Sequence, residues 1–328
     1  MCRSPAYPLT VVMPTYQRPE SALRAIRSLQ QQDGDLELLV VDNAASIALR
    51  DAIDAVNIGA RIPATWIPEP QLGLHHARHT GAKLAKSDLI AFTDDDTTFA
   101  PGWAGAYAEA FSAHPDMIAA GGPSIADWDA VPPKWLHDWV AGQESCYQLS
   151  VRDLGPEFRL GPSELFWGVN MAIRRNALFA AGGFNPECFG DVWLGDGETG
   201  LFDKLREQGA VFGYVPNARV NHHIPPSRMT IQYLRKRMRN EGASEAYGLL
   251  REHRRSSTLG LVAPALGWML AAAEAWLIAL PFRGGRGNLS LRAQLRAARC
   301  TGRVAYAYAA LRDMKLRQLI LRDNWLTT

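Results

Sequence analysis

The chain has 328 residues, of which 47% are apolar, 21% charged and 9% aromatic. This composition excludes a wholly disordered or collagen-like chain, and the length suits one large domain or two smaller ones. The formal net charge is only +2, yet residues 1–226 hold 17 Lys/Arg against 27 Asp/Glu and residues 227–328 hold 18 against 6. An acidic body with a basic tail points to a tail that faces something anionic, or to a solvated basic helical face.

The four cysteines, Cys2, Cys146, Cys188 and Cys300, are far apart and show no CxxC spacing. Neither a zinc site nor a disulfide framework is expected, and free thiols fit a reducing cytosol. Met1 to Pro5 leads directly into an apolar run with no basic segment followed by an apolar one, so no signal peptide is expected.

Leu9 to Met13 reads as a strand that stops at the loop Pro14-Thr15-Tyr16-Gln17-Arg18-Pro19. Ser21 to Gln31 places Leu23, Ile26 and Leu29 on one helical face. Leu36 to Val41 is a second strand, closed by Asp42-Asn43, and Ser46 to Val56 a helix. Thr65 to Ile67 is a short strand, His75 to Ala85 a helix, and Leu89 to Thr93 a buried strand ending in Asp94-Asp95-Asp96. This alternation predicts an α/β fold with a mostly parallel sheet flanked by helices. Ligands in such sheets bind beyond the carboxyl ends of the strands, so Thr15, Asp42 and Asp94 to Asp96 are expected along one edge.

Residues 122–165 are irregular and rich in Trp, Pro and Asp. Phe166 to Arg174 reads as a strand, followed by a short helix and the Gly182-Gly183-Phe184 turn. A helix follows Asp196-Gly197-Glu198, and Val211 to Val215 is a late strand. Beyond Ser227 the pattern is helical and basic, with a domain boundary expected at residues 224–230: a catalytic domain over 1–226 and a helical region over 227–328. Residues 259–282 are apolar apart from Glu274 and small or hydroxyl residues, and arginines flank both ends. They fit a buried core helix, an interfacial or re-entrant membrane helix, or a full span, for which ~20 residues suffice.

The acidic triplet is the foremost chemical feature. Three carboxylates directly after an apolar strand repel one another unless something positive binds, and an Asp-x-Asp pair suits a hard divalent cation that clamps a diphosphate. Asp42 fits a ribose or base contact, or a cap on the next turn. Arg78 fits a phosphate contact or a surface ion pair. Asp196 and Glu198 fit a general base or a helix cap. His222 fits a further metal ligand or a structural histidine, and His75-His76-x-x-His79 lacks the carboxylate that would make it a persuasive metal motif. Trp128, Trp135, Trp139 and Trp167 fit an acceptor platform, with core packing the better reading.

In order and spacing these stretches resemble family 2 glycosyltransferases of the GT-A fold. The matching pieces are Val11 to Pro19, Leu39-Val40-Val41-Asp42-Asn43, Gly73-Leu74 with Ala77-Arg78-x-x-Gly81, and Ile90 to Asp96. Gly168-Val169-Asn170-Met171-Ala172, Gly182-Gly183-Phe184, Gly197-Glu198 and Ala218 to His222 complete them. The resemblance covers roughly residues 8–225. It implies a Rossmann-like GT-A domain with a basic helical C-terminal extension, and an inverting, metal-dependent transferase. The donor is a nucleotide-diphosphate sugar, UDP foremost. The acceptor is a glycan or lipid-linked hydroxyl in surface-polysaccharide assembly. By position, Pro14, Thr15, Tyr16, Arg18 and Asp42 meet the nucleoside. Arg78, Asp94 and Asp95 lie near nucleotide and phosphates. Asp96 and His222 hold Mn2+ or Mg2+, and Glu198 or Asp196 is the base, with Glu198 favoured. The chain departs from the common pattern at Asp42-Asn43 and at Asp196-Gly197-Glu198, where many members have adjacent acids.

The basic C-terminal region suits the anionic inner leaflet of a membrane, placing the enzyme in the cytoplasm, peripheral to that surface. An inactive nucleotide-sugar-binding homologue is the alternative. A nucleotidyltransferase would want a Gly-rich first loop, and no aromatic platform or motif for nucleic acid accompanies the basic tail.

Overall fold

The computed structural model describes residues 8–161, 166–189, 192–193, 197–253, 257–282 and 287–326. The first half runs β1 (Thr10–Thr15), α1 (Pro19–Gln30), β2 (Glu37–Asp42), α2 (Ile47–Val56), β3 (Ala64–Pro68), α3 (Leu74–Leu84) and β4 (Leu89–Thr93). Then come β5 (Thr97–Phe99), α4 (Trp103–Ala113), β6 (Met117–Gly121), β7 (Ser124–Trp128), α5 (Lys134–Ala141), β8 (Ser145–Cys146), β9 (Val151–Arg152) and β10 (Arg159–Gly161). The remainder is β11 (Asn170–Arg174), α6 (Arg175–Ala180), β12 (Cys188–Phe189), β13 (Val192–Trp193), α7 (Gly197–Glu207), β14 (Val211–Tyr214), β15 (Val220–Ile224), α8 (Ile231–Glu252), α9 (Thr258–Ala279), α10 (Asn288–Arg312) and α11 (Met314–Leu319).

Local chemistry sets the early elements. Pro19 at the first turn of α1 needs no hydrogen-bond partner, and Ala22, Ala25, Ile26 and Leu29 form its buried stripe. Ser46 caps α2 by accepting the Leu49 N–H at 3.3 Å. β1, β2 and β4 are buried along their whole length, because helices cover both faces of the sheet. Each Val, Leu or Ile fully buried there contributes roughly 1.5–3 kcal/mol.

The large sheet has the order β10-β14-β6-β11-β4-β1-β2-β3. β4, β1, β2 and β3 are parallel, and β11 lies antiparallel between β4 and β6. This is the expected mostly parallel sheet flanked by helices. A second sheet, β5-β15-β7-β9-β8, starts where β4 ends. Asn170 locks the two together: its side-chain amide donates to Pro123 O and Ala218 O and accepts from Trp103 Nε1 and Tyr107 Oη. The stretch expected as one strand over 166–174 is shorter, because a turn closes with Asn170 N–H on Trp167 O at 3.0 Å.

Packing crosses the boundary expected at residues 224–230. Ile224, Met229, Leu234 and Leu291 share one core with Leu136, Trp139 and Leu149. Trp128 and Trp135 pack against the same core, in line with the packing reading of these tryptophans. α8 and α10 cross closely: a Cβ on Gly302 would stand 1.9 Å from Arg239 O, and one on Gly242 1.9 Å from Arg299 O. α9 is not a core helix. Only 11% of its apolar stretch is buried, which overturns that reading of residues 259–282.

Candidate functional site

The parallel run of β1, β2 and β4 brings Thr15, Asp42 and Asp94 to one edge of the sheet. β11 runs the other way, so the turn that precedes it, with Gly168, reaches the same edge. β15 pairs with β5 and sets His222 opposite Thr97, next to Asp96. Residues far apart in sequence therefore meet at the junction of the two sheets.

Asp95 and Asp96 hold the first cluster. Asp95 is fully buried; it accepts the Thr15 hydroxyl at 2.6 Å and pairs with Arg18 at 2.6 Å. Burial lifts its carboxyl to about 7, against the pull of Arg18 and Thr15. Asp95 and Thr15, expected from the resemblance near the nucleotide, are engaged with each other, and Asp95 holds Arg18, whose side chain is half exposed. Asp96 pairs with Arg18 at 3.0 Å and with Arg228 at 2.9 Å. Burial opposes its ionisation, but the neighbouring His222, Arg228 and Arg18 hold it well below the usual carboxylate range.

His222 is buried and its tautomer is set by its partners. Nδ1 faces Leu149 O at 2.8 Å and so donates; Nε2 then accepts from Arg228 Nη1 at 3.1 Å and lies 3.4 Å from Asp96 Oδ1. Asp96 Oδ1 is buried and has no hydrogen-bond partner. Among the described residues, no group of three or more His, Cys, Asp or Glu side chains is arranged to hold a metal. Asp96 Oδ1 and His222 Nε2 nevertheless fit a divalent cation that displaces the Arg228 contact to the imidazole and takes its other ligands from a diphosphate and water.

Arg78 organises the second cluster. It is 1% exposed and lies 3.2 Å from Glu198, 3.6 Å from Asp94 and 3.9 Å from Glu187. Its guanidinium also sits over the Phe184 ring at 5.1 Å. Arg78, which the resemblance sets near the nucleotide and phosphates, is surrounded by carboxylates. Glu198 Oε1 accepts from Arg78 and from the Gly168 N–H at 2.6 Å. Burial would raise the Glu198 carboxyl, but Arg78 and these hydrogen bonds outweigh it and keep it below its ordinary value. A Cβ on Gly168 would stand 1.9 Å from Arg78 Nη2 and 2.3 Å from Glu198 Oε1, so only glycine fits there. Asp94 keeps 31% of its side chain exposed, the most open carboxylate of the triplet, and burial raises it. Asp196 lies outside the described residues.

Asp42 is fully buried and committed to its own turn. It accepts from Ala44 N, Ser46 N and Trp66 Nε1 at 2.9, 2.7 and 3.2 Å, which is the capping alternative rather than a free ribose contact. Pro14 is buried in β1, whereas Tyr16 is 44% exposed at the edge. His79 accepts the Phe184 N–H at 2.8 Å, and burial lowers it to about 3, so it is a neutral structural histidine. The repulsion within the acidic triplet is answered from within the chain, by Arg18, Arg78 and Arg228. Arg228, Glu187 and the Gly168 N–H are parts of the site that sequence reasoning missed. The buried charge of Glu187 carries no sequence signal, and Arg228 lies beyond the Pro225-Pro226 break.

Comparison with known proteins identifies the family and the fold. The family model "Glycosyl transferase family 2" matches residues 10–182. The glucosyl-dolichyl phosphate glucuronosyltransferase of Haloferax volcanii is 28% identical over 168 residues, 49% of this chain and 51% of that protein. The chain thus matches about half the length of that relative. The succinoglycan biosynthesis protein ExoM of Rhizobium meliloti is 24% identical over 298 residues, 88% of this chain and 90% of that protein. Among solved structures, the mannosyltransferase PcManGT from Pyrobaculum calidifontis, in complex with GDP-Man and Mn2+, superimposes with a TM-score of 0.60 at 19% identity, covering 93% of this chain and 89% of that one. This last likeness shows the fold.

Proposed function

The chain belongs to glycosyl transferase family 2, a glycosyltransferase of the GT-A fold, and from that premise we propose that it moves a sugar from a nucleotide-diphosphate donor, UDP foremost, to a hydroxyl of a lipid-linked glycan, with inversion. One observation carries the reading. Arg78 ties Asp94, at the end of β4, to Glu198, at the start of α7, while Asp96 Oδ1 and His222 Nε2, which Arg228 also contacts, lie 3.4 Å apart beside them. This supports a reading in which Asp94 and Asp96 stand on the donor side and Glu198 is a separate ionised carboxylate on the same edge.

In this reading Glu198 is the general base. Its Oε1 is held by Arg78 and Gly168, and the carboxylate stays ionised at neutral pH, ready to take the acceptor's proton. The acceptor oxygen then bonds to the anomeric carbon as the bond from that carbon to the diphosphate oxygen breaks, and the electron pair leaves with the diphosphate. Attack from the face opposite the leaving group inverts the anomeric centre. Arg18, half exposed beside Asp95 and Asp96, is placed to meet the donor's negative charge. Tyr16, exposed at the same edge, is placed to pack on the base. Asp96 and His222 would hold Mn2+ or Mg2+, which when bound neutralises charge on the diphosphate.

Support for a lipid-linked acceptor comes from one relative's name, glucosyl-dolichyl phosphate glucuronosyltransferase, and support for a glycan product from the other's, a succinoglycan biosynthesis protein. The test is a panel of UDP-sugars with polyprenyl-phosphate-linked saccharides, read by UDP release and by the proton NMR coupling of the new anomeric centre. A product whose anomeric configuration is opposite to the donor's supports the reading. A retained configuration overturns the single displacement, and turnover with GDP- or dTDP-sugars alone overturns the choice of UDP.

A further inference from the structure

α9 presents an exposed apolar face that the site does not use. Its 22 residues span about 33 Å at 1.5 Å per residue. Leu259, Leu266, Met269, Leu270 and Leu277 are 54–86% exposed along one face of it. The opposite stripe, Leu261, Ala265, Ala275 and Ala279, is buried. Leu261 packs in one core with Tyr306 and Ala310, and Ala275 and Ala279 pack with Ala297 and Cys300, so α9 lies along much of α10. The one acidic side chain on α9, Glu274, is paired with Arg296 at 3.4 Å.

We infer that α9 lies in the plane of an anionic lipid bilayer as a monotopic docking surface, with its exposed leucines in the headgroup and acyl boundary. Three observations favour lipid over a protein partner and an in-plane over a spanning pose. The apolar stripe runs the length of the helix without a polar interruption other than the neutralised Glu274, which suits a continuous fluid surface. The region from residue 227 onward carries 18 Lys/Arg against 6 Asp/Glu, and Arg292 and Arg296 are exposed on the neighbouring α10, which complements anionic headgroups. α10 in turn packs on α8, where Glu245 holds Arg299 and Arg303. A spanning α9 would have to shed α10 or drag these arginines into hydrocarbon, whereas an in-plane α9 leaves them at the interface.

The experiment is flotation of the full chain with phosphatidylcholine vesicles, alone or with about 30 mol% phosphatidylglycerol, at low and high salt. The expected result is co-flotation with the anionic vesicles, weakened by salt. The variant Leu266→Glu/Leu270→Glu/Leu277→Glu changes only exposed side chains; it should keep the wild-type circular dichroism and melting temperature and lose at least about tenfold in vesicle affinity. No flotation of the wild type, or equal flotation of the variant, overturns the inference. So does a dimer in analytical ultracentrifugation that the variant abolishes without any vesicle binding, since the face would then be covered by a second copy. Protease sites accessible on both sides of sealed vesicles would overturn the in-plane pose. None of these outcomes depends on the identity of the sugar donor.

Discussion

Replacing Arg78 by Met removes the arginine that bridges Asp94, Glu187 and Glu198. At 3.2, 3.6 and 3.9 Å the three attractions are each roughly 4–5 kcal/mol at an effective dielectric of about 20, and desolvation of the buried charges cancels most of that. Leaving carboxylates without their counter-charge costs about 3–5 kcal/mol when one partner of a buried pair is removed. Chemical denaturation at pH 7.5, followed by tryptophan fluorescence, should show a loss of that size. The Glu198 carboxyl is depressed in the folded chain, so its contribution to stability is present above its ordinary value of 4.5 and lost as pH falls through the folded value. In Arg78→Met that depression disappears, the carboxylates protonate more readily, and the penalty should shrink from pH 7.5 to pH 5. Adding Glu187→Gln and Glu198→Gln to Arg78→Met should recover at least half of the loss, which keeps the test meaningful if the single variant folds poorly. A loss below about 1 kcal/mol, or one that does not change with pH, would refute the picture of Arg78 as the counter-charge of this cluster.

Four further outcomes follow from the same geometry. Glu198→Gln should lower kcat by at least about a hundredfold while leaving nucleotide affinity within a few-fold, because the amide oxygen can still accept the Gly168 N–H but cannot take a proton; steady-state kinetics with calorimetry separate the two. Arg228→Ala should tighten Mn2+ binding in the absence of nucleotide by about tenfold, the effect of removing one positive charge beside the Asp96 and His222 donors, and Mn2+ titration by electron paramagnetic resonance reads it directly. Asn170→Asp keeps the acceptors for Trp103 and Tyr107 but removes both donors to Pro123 O and Ala218 O, so it should cost about 2–4 kcal/mol in urea unfolding. Gly302→Ala should lower the melting temperature by several degrees, since its Cβ would stand 1.9 Å from Arg239 O and force α8 and α10 apart.

The parallel core was legible because β1, β2 and β4 are buried on both faces and therefore read as unbroken apolar runs ending in polar residues. That pattern alone set Thr15, Asp42 and the acidic triplet along one edge. The second sheet was not legible: β5 has three residues and β8 and β9 two each, too short for any periodicity to show. The types of the site residues were readable, but not their partners. A carboxylate's role depends on which cation meets it, and Arg228 reaches Asp96 across 132 residues. Asp42, Asp95 and Arg78 read from sequence as ligand contacts, and the structure gives each of them buried partners that no sequence shows, since burial is a property of the packed chain. The exposure of α9 was likewise invisible, because an apolar helix has the same sequence whether its partner is protein or lipid.

The most direct test of donor-site chemistry is calorimetry of UDP binding, with and without Mn2+, for the wild type and Asp96→Ala. Asp96 and His222 as the cation's protein ligands predict UDP binding that needs Mn2+ and weakens at least about tenfold in Asp96→Ala. UDP binding that is indifferent to Mn2+ or unchanged in Asp96→Ala would contradict that assignment, and no binding of UDP, GDP or dTDP under any condition would contradict a nucleotide-sugar transferase altogether.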